Sequence, residues 1–484
     1  MENKKMKIMS IASIIALALT LVTATYAYFM AQTGEGKSTD IKINANTIDT
    51  FTFEAGSALN LNLNQDNFAS GKGNQTGTTF AKAMLTANNK TNTATEHYYL
   101  YLNISNNTFT YSIDNNTPEI LLSIKDGSNN EITTLTGLTY KTVTDGKGTS
   151  ISGFDITTKS GLITILNNRE ITTTSSKTEQ WNVTVTFVNY NSNQAGNAGK
   201  SFTAKLMIQK EKILTLAEHV ISQYTGTQGE NNIYYHNGTI TDDDGTVLDA
   251  GDNSYRYAGA SDSVNNYICL GSDEATCPEA NLFRIIGVFG DQTKVIRAKS
   301  VGKKEWNTSD DNTWSSSSLN TYLNGEYLTS LGTIADKIAT TTWKVGGGSR
   351  SKIVTSVPKT AYQNEVGSSA STTTVDKKIG LMYVSDYYYS ASPSAWTLVG
   401  YNEFDATKDY RVANTINWLY SGSYEWTISR YSNDTGNAFY VYSTGYVTFL
   451  NVASSRGVRP SFNLESSVKY VSGSGSMSDP VRVN

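Results

Sequence analysis

The sequence predicts a multidomain, β-rich chain in which an all-β sandwich is followed by an α+β domain. The chain has 484 residues, which is enough for two or three domains with separate cores. It is rich in Tyr and Gly (30 and 38 residues) and poor in Pro (6 residues), as is typical of pleated strands joined by tight turns. Six of the seven Trp residues and nine of the ten Arg residues follow residue 225, which indicates two unlike halves.

The N-terminus has the pattern of an export signal. Three lysines within the first seven residues precede an apolar run at 8–22, and small residues follow at 24–27. We therefore predict that residues 1–30 form a signal peptide, with Ala27 as the last residue removed. The alternative is a retained anchor, since 8–30 is 23 residues long and a helical span needs about 20. Either reading places the protein outside the cell or at the cell surface.

Residues 31–210 are predicted to form the β-sandwich. Strand-length runs bounded by Asn, Gly and Asp recur there, and no long helical period interrupts them. In several runs polar and apolar residues alternate, which predicts that one face of each sheet is wet. The runs are 41–45, 97–104, 119–124, 161–166, 180–188 and 201–208.

Two phrases of the first half and its signal carry a family resemblance, namely Ala24-Thr-Tyr-Ala-Tyr-Phe29 and Ile43-Asn-Ala-Asn-Thr-Ile48. They resemble the TasA/camelysin group of exported matrix proteins. The resemblance implies a jelly-roll-like sandwich, a dedicated signal peptidase and assembly into fibres. In such a fibre the segment 28–50 would add to the sheet edge of a neighbouring copy. The alternative is that this segment is the first strand of its own domain.

A change of period marks the boundary between the halves. In 212–224, Ile213, Leu216, Val220 and Ile221 recur at helical spacing, and a polar, Gly-containing run follows. We assign 211–228 to a helix and linker, and 229–484 to an aromatic-rich α+β domain. Within this domain the patterns predict strands at 282–289 and 294–297 and a helix at 316–324 that stops at Gly325.

Five phrases of the second half carry a second family resemblance, at 281–289, 314–320, 380–386, 425–430 and 457–462. They resemble the uncharacterised bacterial surface domain DUF6273. The resemblance implies a layout like the C-type-lectin-like and sulfatase-modifying-factor folds, in which the last strand also carries a Gly-hydrophobic-Arg motif. The family has no established activity to transfer.

The two cysteines, Cys269 and Cys277, flank a turn-forming Gly-Ser-Asp sequence. In an oxidising compartment this spacing predicts a local disulfide. A metal site is the alternative, but two ligands eight residues apart lack a second Cys or His pair.

The inventory of reactive residues argues against an enzyme. The three histidines, His97, His219 and His236, are far apart in the sequence, and no Ser or Cys lies in a nucleophile motif. The acidic run 242–249 has carboxylates that suit calcium but lacks EF-hand spacing, so we expect a solvated turn, no metal and no cofactor. Charged residues make up 17% of the chain, with a net charge of −4 and no basic stripe, which argues against nucleic acid.

Binding is the stronger functional prediction. Trp and Tyr beside Arg, Asn and Asp form surfaces that stack on sugars or contact proteins. The alternative for Trp426 and for Arg459 is a place in the core, with Arg459 paired to a carboxylate. We rank an adhesion or recognition module for an extracellular glycan or protein first, a fibre subunit second and a secreted enzyme third. The candidate binding residues are Trp426, Arg430, Asn433, Asp434, Asn437 and Tyr440.

Overall fold

The computed structural model describes residues 49–63, 72–88, 92–398 and 413–484. The chain divides into two compact units, with the division between Lys212 and Ile213. The predicted cleavage at Ala27 and the predicted strand at 41–45 lie outside the described residues. Among the residues described, no helix has both the length and the apolar character needed to cross a membrane.

The first unit contains ten strands in two antiparallel sheets. One sheet has the strand order β1-β3-β9-β5-β7-β6 and the other has the order β2-β10-β4-β8. The strands are β1 (Thr50–Ala55), β2 (Leu59–Asn62), β3 (Gln75–Thr86), β4 (Ala94–Asn107), β5 (Ile120–Asp126), β6 (Tyr140–Thr144), β7 (Ser150–Asp155), β8 (Gly161–Thr173), β9 (Ser176–Phe187) and β10 (Ser201–Gln209).

Both sheets of the first unit contribute to one hydrophobic core. Along β10 the alternate residues Phe202, Ala204, Leu206 and Ile208 are buried, whereas Lys205 between them is exposed. This period of two arises because successive side chains of a strand point to opposite faces. The predicted alternation of a dry and a wet face is confirmed on this strand.

The second unit mixes short helices with sixteen strands. Its helices are α1 (Leu216–Ser222), α2 (Ser318–Tyr322), α3 (Leu328–Ser330), α4 (Arg350–Ile353), α5 (Pro358–Glu365), α6 (Val384–Tyr389) and α7 (Ala413–Ile416). Its strands are β11 (Ile233–Tyr235), β12 (Tyr255–Tyr257), β13 (Tyr267–Cys269), β14 (Leu282–Phe289), β15 (Gln292–Arg297), β16 (Lys303–Glu305), β17 (Thr341–Lys344), β18 (Thr374–Lys377), β19 (Ile379–Gly380), β20 (Glu425–Arg430), β21 (Asn437–Val441), β22 (Val447–Asn451), β23 (Ser455–Gly457), β24 (Ser461–Leu464), β25 (Tyr470–Ser472) and β26 (Val481–Val483).

Three sheets organise these strands. The largest has the order β19-β24-β15-β14-β13-β26-β25, with β12 beside β14 and β11 beside β12. A five-stranded sheet has the order β16-β23-β20-β21-β22, and β17 pairs with β18. The large and five-stranded sheets supply Ile285, Val295, Ile428 and Phe439 to the same core. The predicted multidomain, β-rich character of the chain is thus confirmed.

Helix α1 belongs to the second unit. Thr215 caps it in a capping box with Glu218, which explains why the helix begins at Leu216, three residues after Ile213, the first residue of the apolar period. Leu216, Ala217 and Val220 are buried in the core of the second unit. The segment we assigned to a helix and linker therefore contains a helix that packs within this unit.

The predicted stop at Gly325 is wrong. A wide π turn over Leu323–Tyr327 follows α2 and carries the chain through Gly325 into α3. Leu323 and Tyr327 are both buried, and their packing outweighs the weak helix propensity of glycine. No heavy atom lies within 4 Å of the position that a Cβ on residue 325 would occupy, so packing does not require glycine there.

The predicted disulfide is confirmed. Cys269 and Cys277 are bonded, with 5.9 Å between their Cα atoms. Arg482 on β26 donates to the carbonyl oxygens of Ser272 and Glu274 at 2.7 and 2.8 Å. Since β13 and β26 are parallel neighbours, this clamp ties the disulfide loop to the C-terminal strand.

Candidate functional site

The aromatic residues of the second unit lie in its core. All six Trp side chains there are at most 2% exposed. Trp426 is 1% exposed, and its Nε1 donates to the carbonyl oxygen of Lys304 at 3.0 Å, while Tyr440 is 4% exposed. A buried ring cannot stack on a ligand, so the predicted ligand contacts of Trp426 and Tyr440 are wrong. Their rings lie 5.7 Å apart and pack edge to face.

The other four predicted residues lie on the β20–β21 hairpin. Asn433 and Asp434 are exposed at its turn, whereas Arg430 and Asn437 are half-buried. Buried Asn312 holds the turn from beneath, since its Nδ2 lies 2.7 Å from the carbonyl oxygens of both Asp434 and Asn437. The hairpin is therefore a braced turn that presents two polar side chains to solvent.

The basic residues of the second unit also organise its core. Arg459 is 4% exposed and donates through Nε to Glu425 at 2.8 Å. This agrees with the alternative prediction that Arg459 lies in the core, paired to a carboxylate. Arg284 donates through Nε to Asn266 at 2.6 Å and lies 4.7 Å from the ring of Trp418. Because these two guanidinium groups are enclosed and bonded, Arg284 and Arg459 serve the core of the unit and not a binding surface.

The acidic run 242–249 forms a hydrogen-bonded turn. Asp242 accepts from the backbone N–H of Thr246 at 2.8 Å, and Asp249 accepts from the N–H groups of Gly238 and Ile240. These carboxylates fix the local backbone. Among the described residues, no group of three or more His, Cys, Asp or Glu side chains is placed to hold a metal ion.

His236 is enclosed in an aromatic cluster. Its ring is 0% exposed and lies 4.8 Å from the ring of Tyr389 and 5.2 Å from that of Trp396. Nδ1 accepts from the N–H of Ala250 at 3.1 Å, and Nε2 has no hydrogen-bond partner. Burial lowers the pKa of His236 well below its ordinary value, and the charge of Arg256 adds to this effect.

We expect the second unit to lose stability as the pH falls below about 6.5. The unfolded state then binds a proton at His236 that the folded state refuses, so the free energy of unfolding falls by about 1 kcal/mol between pH 7 and 5.5. Urea unfolding at both pH values measures this loss. The variant His236→Asn keeps an acceptor near the position of Nδ1 but does not titrate. Its free energy of unfolding should therefore fall by about 1 kcal/mol less than that of the unaltered protein between pH 7 and 5.5. Equal losses in the two proteins would contradict the role of His236.

A pocket of about 400 Å³ lies elsewhere in the second unit. One side of the pocket is formed by His219 on α1 and by Gln223, which directly follows α1. The turn before β11 adds Asn231 and Asn232. Both Asn residues of this turn have left-handed backbone conformations, with φ of 57° and 59°, which Asn tolerates better than most residues.

The C-terminal segment forms the opposite side of the pocket. The ring of Tyr470 stacks on the ring of His219, with 3.6 Å between centroids and 6° between planes. Gly473, Ser474 and Val481 follow, and Tyr257 and Asn265 complete the lining. Burial lowers the pKa of His219 below its ordinary value.

Exposed apolar side chains coincide with this segment. Val471 and Met477, 38% and 65% exposed, are the only large hydrophobic side chains found exposed in the described ranges. Both belong to the stretch that carries Tyr470, Gly473 and Ser474. Neither side chain lines the pocket itself.

Sequence reasoning missed this pocket. It assigned 211–228 to a helix and linker and named none of the residues that line the pocket as a binding candidate. The available signals were the paired Asn residues and Gly473, whose φ is 94°. A Cβ on Gly473 would lie 2.2 Å from the carbonyl oxygen of Pro480, so this position requires glycine.

Comparisons with known proteins identify part of the second unit. No curated protein and no solved structure matches the chain. The TasA/camelysin resemblance of the first half gains no support and stays a prediction. All the residues that line the pocket lie on either side of 290–466. Residues 290–466 match the family model described as Domain of unknown function (DUF6273), which confirms that resemblance for the C-terminal half.

Proposed function

We propose that the protein is an exported cell-surface protein whose second unit recognises an extracellular partner without converting it. The pocket between α1 and the C-terminal segment carries this proposal. Its volume of about 400 Å³ falls within the range of ligand pockets, and its lining combines aromatic rings with polar groups. The lining supplies contacts that bind and orient a ligand.

The lining favours binding over catalysis. The Ser474 hydroxyl donates to the carbonyl oxygen of Asp479 and lies within hydrogen-bond distance of the Ser476 hydroxyl. It is therefore not activated by His219, as a Ser–His mechanism requires. Of the residues that the structure describes, no Cys, Asp or Glu lines the pocket.

Two further features support an extracellular place of action. The export-type pattern of residues 1–30 and the Cys269–Cys277 disulfide both fit an oxidising compartment. The jelly-roll-like and C-type-lectin-like folds implied by the resemblances are part of this proposal. They would make the first unit a β-sandwich and the second the recognition unit.

Immobilised panels of extracellular glycans and matrix proteins test the proposal with the full chain. We expect specific retention that Asn265→Trp lowers at least tenfold, because an exposed lining residue becomes a ring that fills the pocket. Asn433→Trp is the matched control, since Asn433 is equally exposed but lies on the hairpin turn. Retention lost only with Asn433→Trp would move the site to the hairpin, and no retention on any panel would contradict the proposal.

A further inference from the structure

We infer that the pocket takes a neutral saccharide unit, so that the extracellular partner is a glycan. The inference deepens the proposed function and rests on it. Neither the matched domain of unknown function nor any other comparison assigns a ligand, and the lining lies outside 290–466. The ligand class follows from the charge, the hydrogen-bonding groups and the rings of the lining.

The charge of the lining selects a neutral ligand. Within the described ranges, no Asp, Glu, Lys or Arg side chain lines the pocket. A charged ligand would lose its hydration on entering the pocket and would find no opposite charge there, and burying an unpaired charge is costly. A carboxylated or amino sugar is therefore disfavoured relative to its neutral counterpart.

The polar groups of the lining match hydroxyls. Gln223, Asn231, Asn232 and Asn265 each carry a carboxamide, and a carboxamide offers both donors and an acceptor, as a sugar hydroxyl does. The side chains of Asn232 and Asn265 make no hydrogen bond with another described residue, so their groups are available to a ligand. By contrast, the Nδ2 of Asn231 donates to the carbonyl oxygen of Gln223 at 2.9 Å, which steadies the wall.

The rings suit the C–H face of a sugar. His219 and Tyr470 are stacked, and the Tyr470 hydroxyl donates to the carbonyl oxygen of Gly473 at 3.1 Å, so both rings are fixed in place. Aromatic side chains that combine an apolar face with a polar tip are well suited to surfaces with C–H and O–H groups. Tyr257 also lines the pocket, but it is only 6% exposed, so the stacking surface belongs to His219 and Tyr470.

The walls are set before a ligand arrives. Asn231, Asn232 and Gly473 hold left-handed conformations, and the N–H of Ala258 donates to the carbonyl oxygen of Asn232 at 2.9 Å. A preformed wall reduces the ordering that binding requires. A peptide added as a strand is a poorer fit, because β25 at the sheet edge has only three residues for pairing.

Titration calorimetry of the full chain with matched oligosaccharides tests the inference. The probes are trimers of β-linked glucose and of N-acetylglucosamine, together with charged counterparts made of glucuronate and of glucosamine. We expect at least one neutral trimer to bind, and its charged counterpart to bind at least tenfold more weakly. Asn265→Ala and Asn232→Gly should each weaken binding at least fivefold; glycine keeps the left-handed backbone at 232.

The control is Asn433→Ala, which should leave the affinity for the trimer unchanged. No binding of any neutral trimer, equal binding of a charged counterpart, or binding unaffected by both pocket variants would overturn the inference. If Asn265→Trp abolishes retention of a protein from the panel while no saccharide binds, the proposed function stands and the saccharide inference fails.

Discussion

Replacing Lys294 with Ala should destabilise the second unit by about 3–5 kcal/mol, the usual cost of breaking a buried ion pair. Lys294 Nζ donates to Asp386 at 2.6 Å, and the two side chains are only 6% and 4% exposed. The substitution leaves the Asp386 carboxylate enclosed without its cation. Urea unfolding of the full chain measures the loss.

The chain offers a matched control for this pair. Lys299 and Glu279 are also 2.6 Å apart, but their side chains are 64% and 63% exposed. Lys299→Ala should therefore cost less than about 1 kcal/mol. The double variant Lys294→Met/Asp386→Asn removes both charges and should recover most of the loss. Equal losses for Lys294→Ala and Lys299→Ala would contradict the account of burial.

Replacing Trp426 with Ala should destabilise the second unit by about 3–5 kcal/mol, because it opens a cavity in the core. The ring is 1% exposed and packs against Tyr440, and its N–H is bonded to Lys304. Limited proteolysis and circular dichroism of the full chain should show earlier unfolding of the second unit.

Asn433→Ala is the control for Trp426→Ala. This exposed side chain lies at the turn of the same hairpin, so its loss should change stability by no more than about 0.5 kcal/mol. If Trp426→Ala left stability intact and abolished partner binding, the ring would be a contact residue after all.

The sequence predicts strands best where large apolar residues dominate. The predicted strand 282–289 coincides with β14, and 201–208 differs from β10 by one residue. By contrast, β3 escaped prediction although it lies between β1 and β9 in its sheet. Its buried face carries Ala81 and Ala83, and alanine has little preference for strands.

Burial of polar and amphipathic side chains could not be predicted. Lys294 belongs to a predicted strand, but a lysine in a strand ordinarily faces water. Its ion pair with Asp386, 92 residues away, makes its burial tolerable. Trp426 and Tyr440 are equally suited to a core and to a binding surface. The packing of the five-stranded sheet against the rest of the second unit places both rings in the core.

The pocket depends on long-range pairing. His219 and Tyr470 are far apart in sequence, and the bridge between Thr215 and Lys469 brings their segments together. The parallel pairing of Ile268 with Val481 places β26 beside β13. Such contacts leave no local period, so the sequence predicted a recognition unit but not the location of this pocket.

Hydrogen–deuterium exchange of the full chain, with and without the oligosaccharide that binds most tightly, tests the central claim most directly. We predict that the ligand slows exchange in 216–232, 257–265 and 470–481, the segments that surround the pocket. Protection confined to the hairpin at 430–440, or to the first unit, would contradict recognition through this pocket.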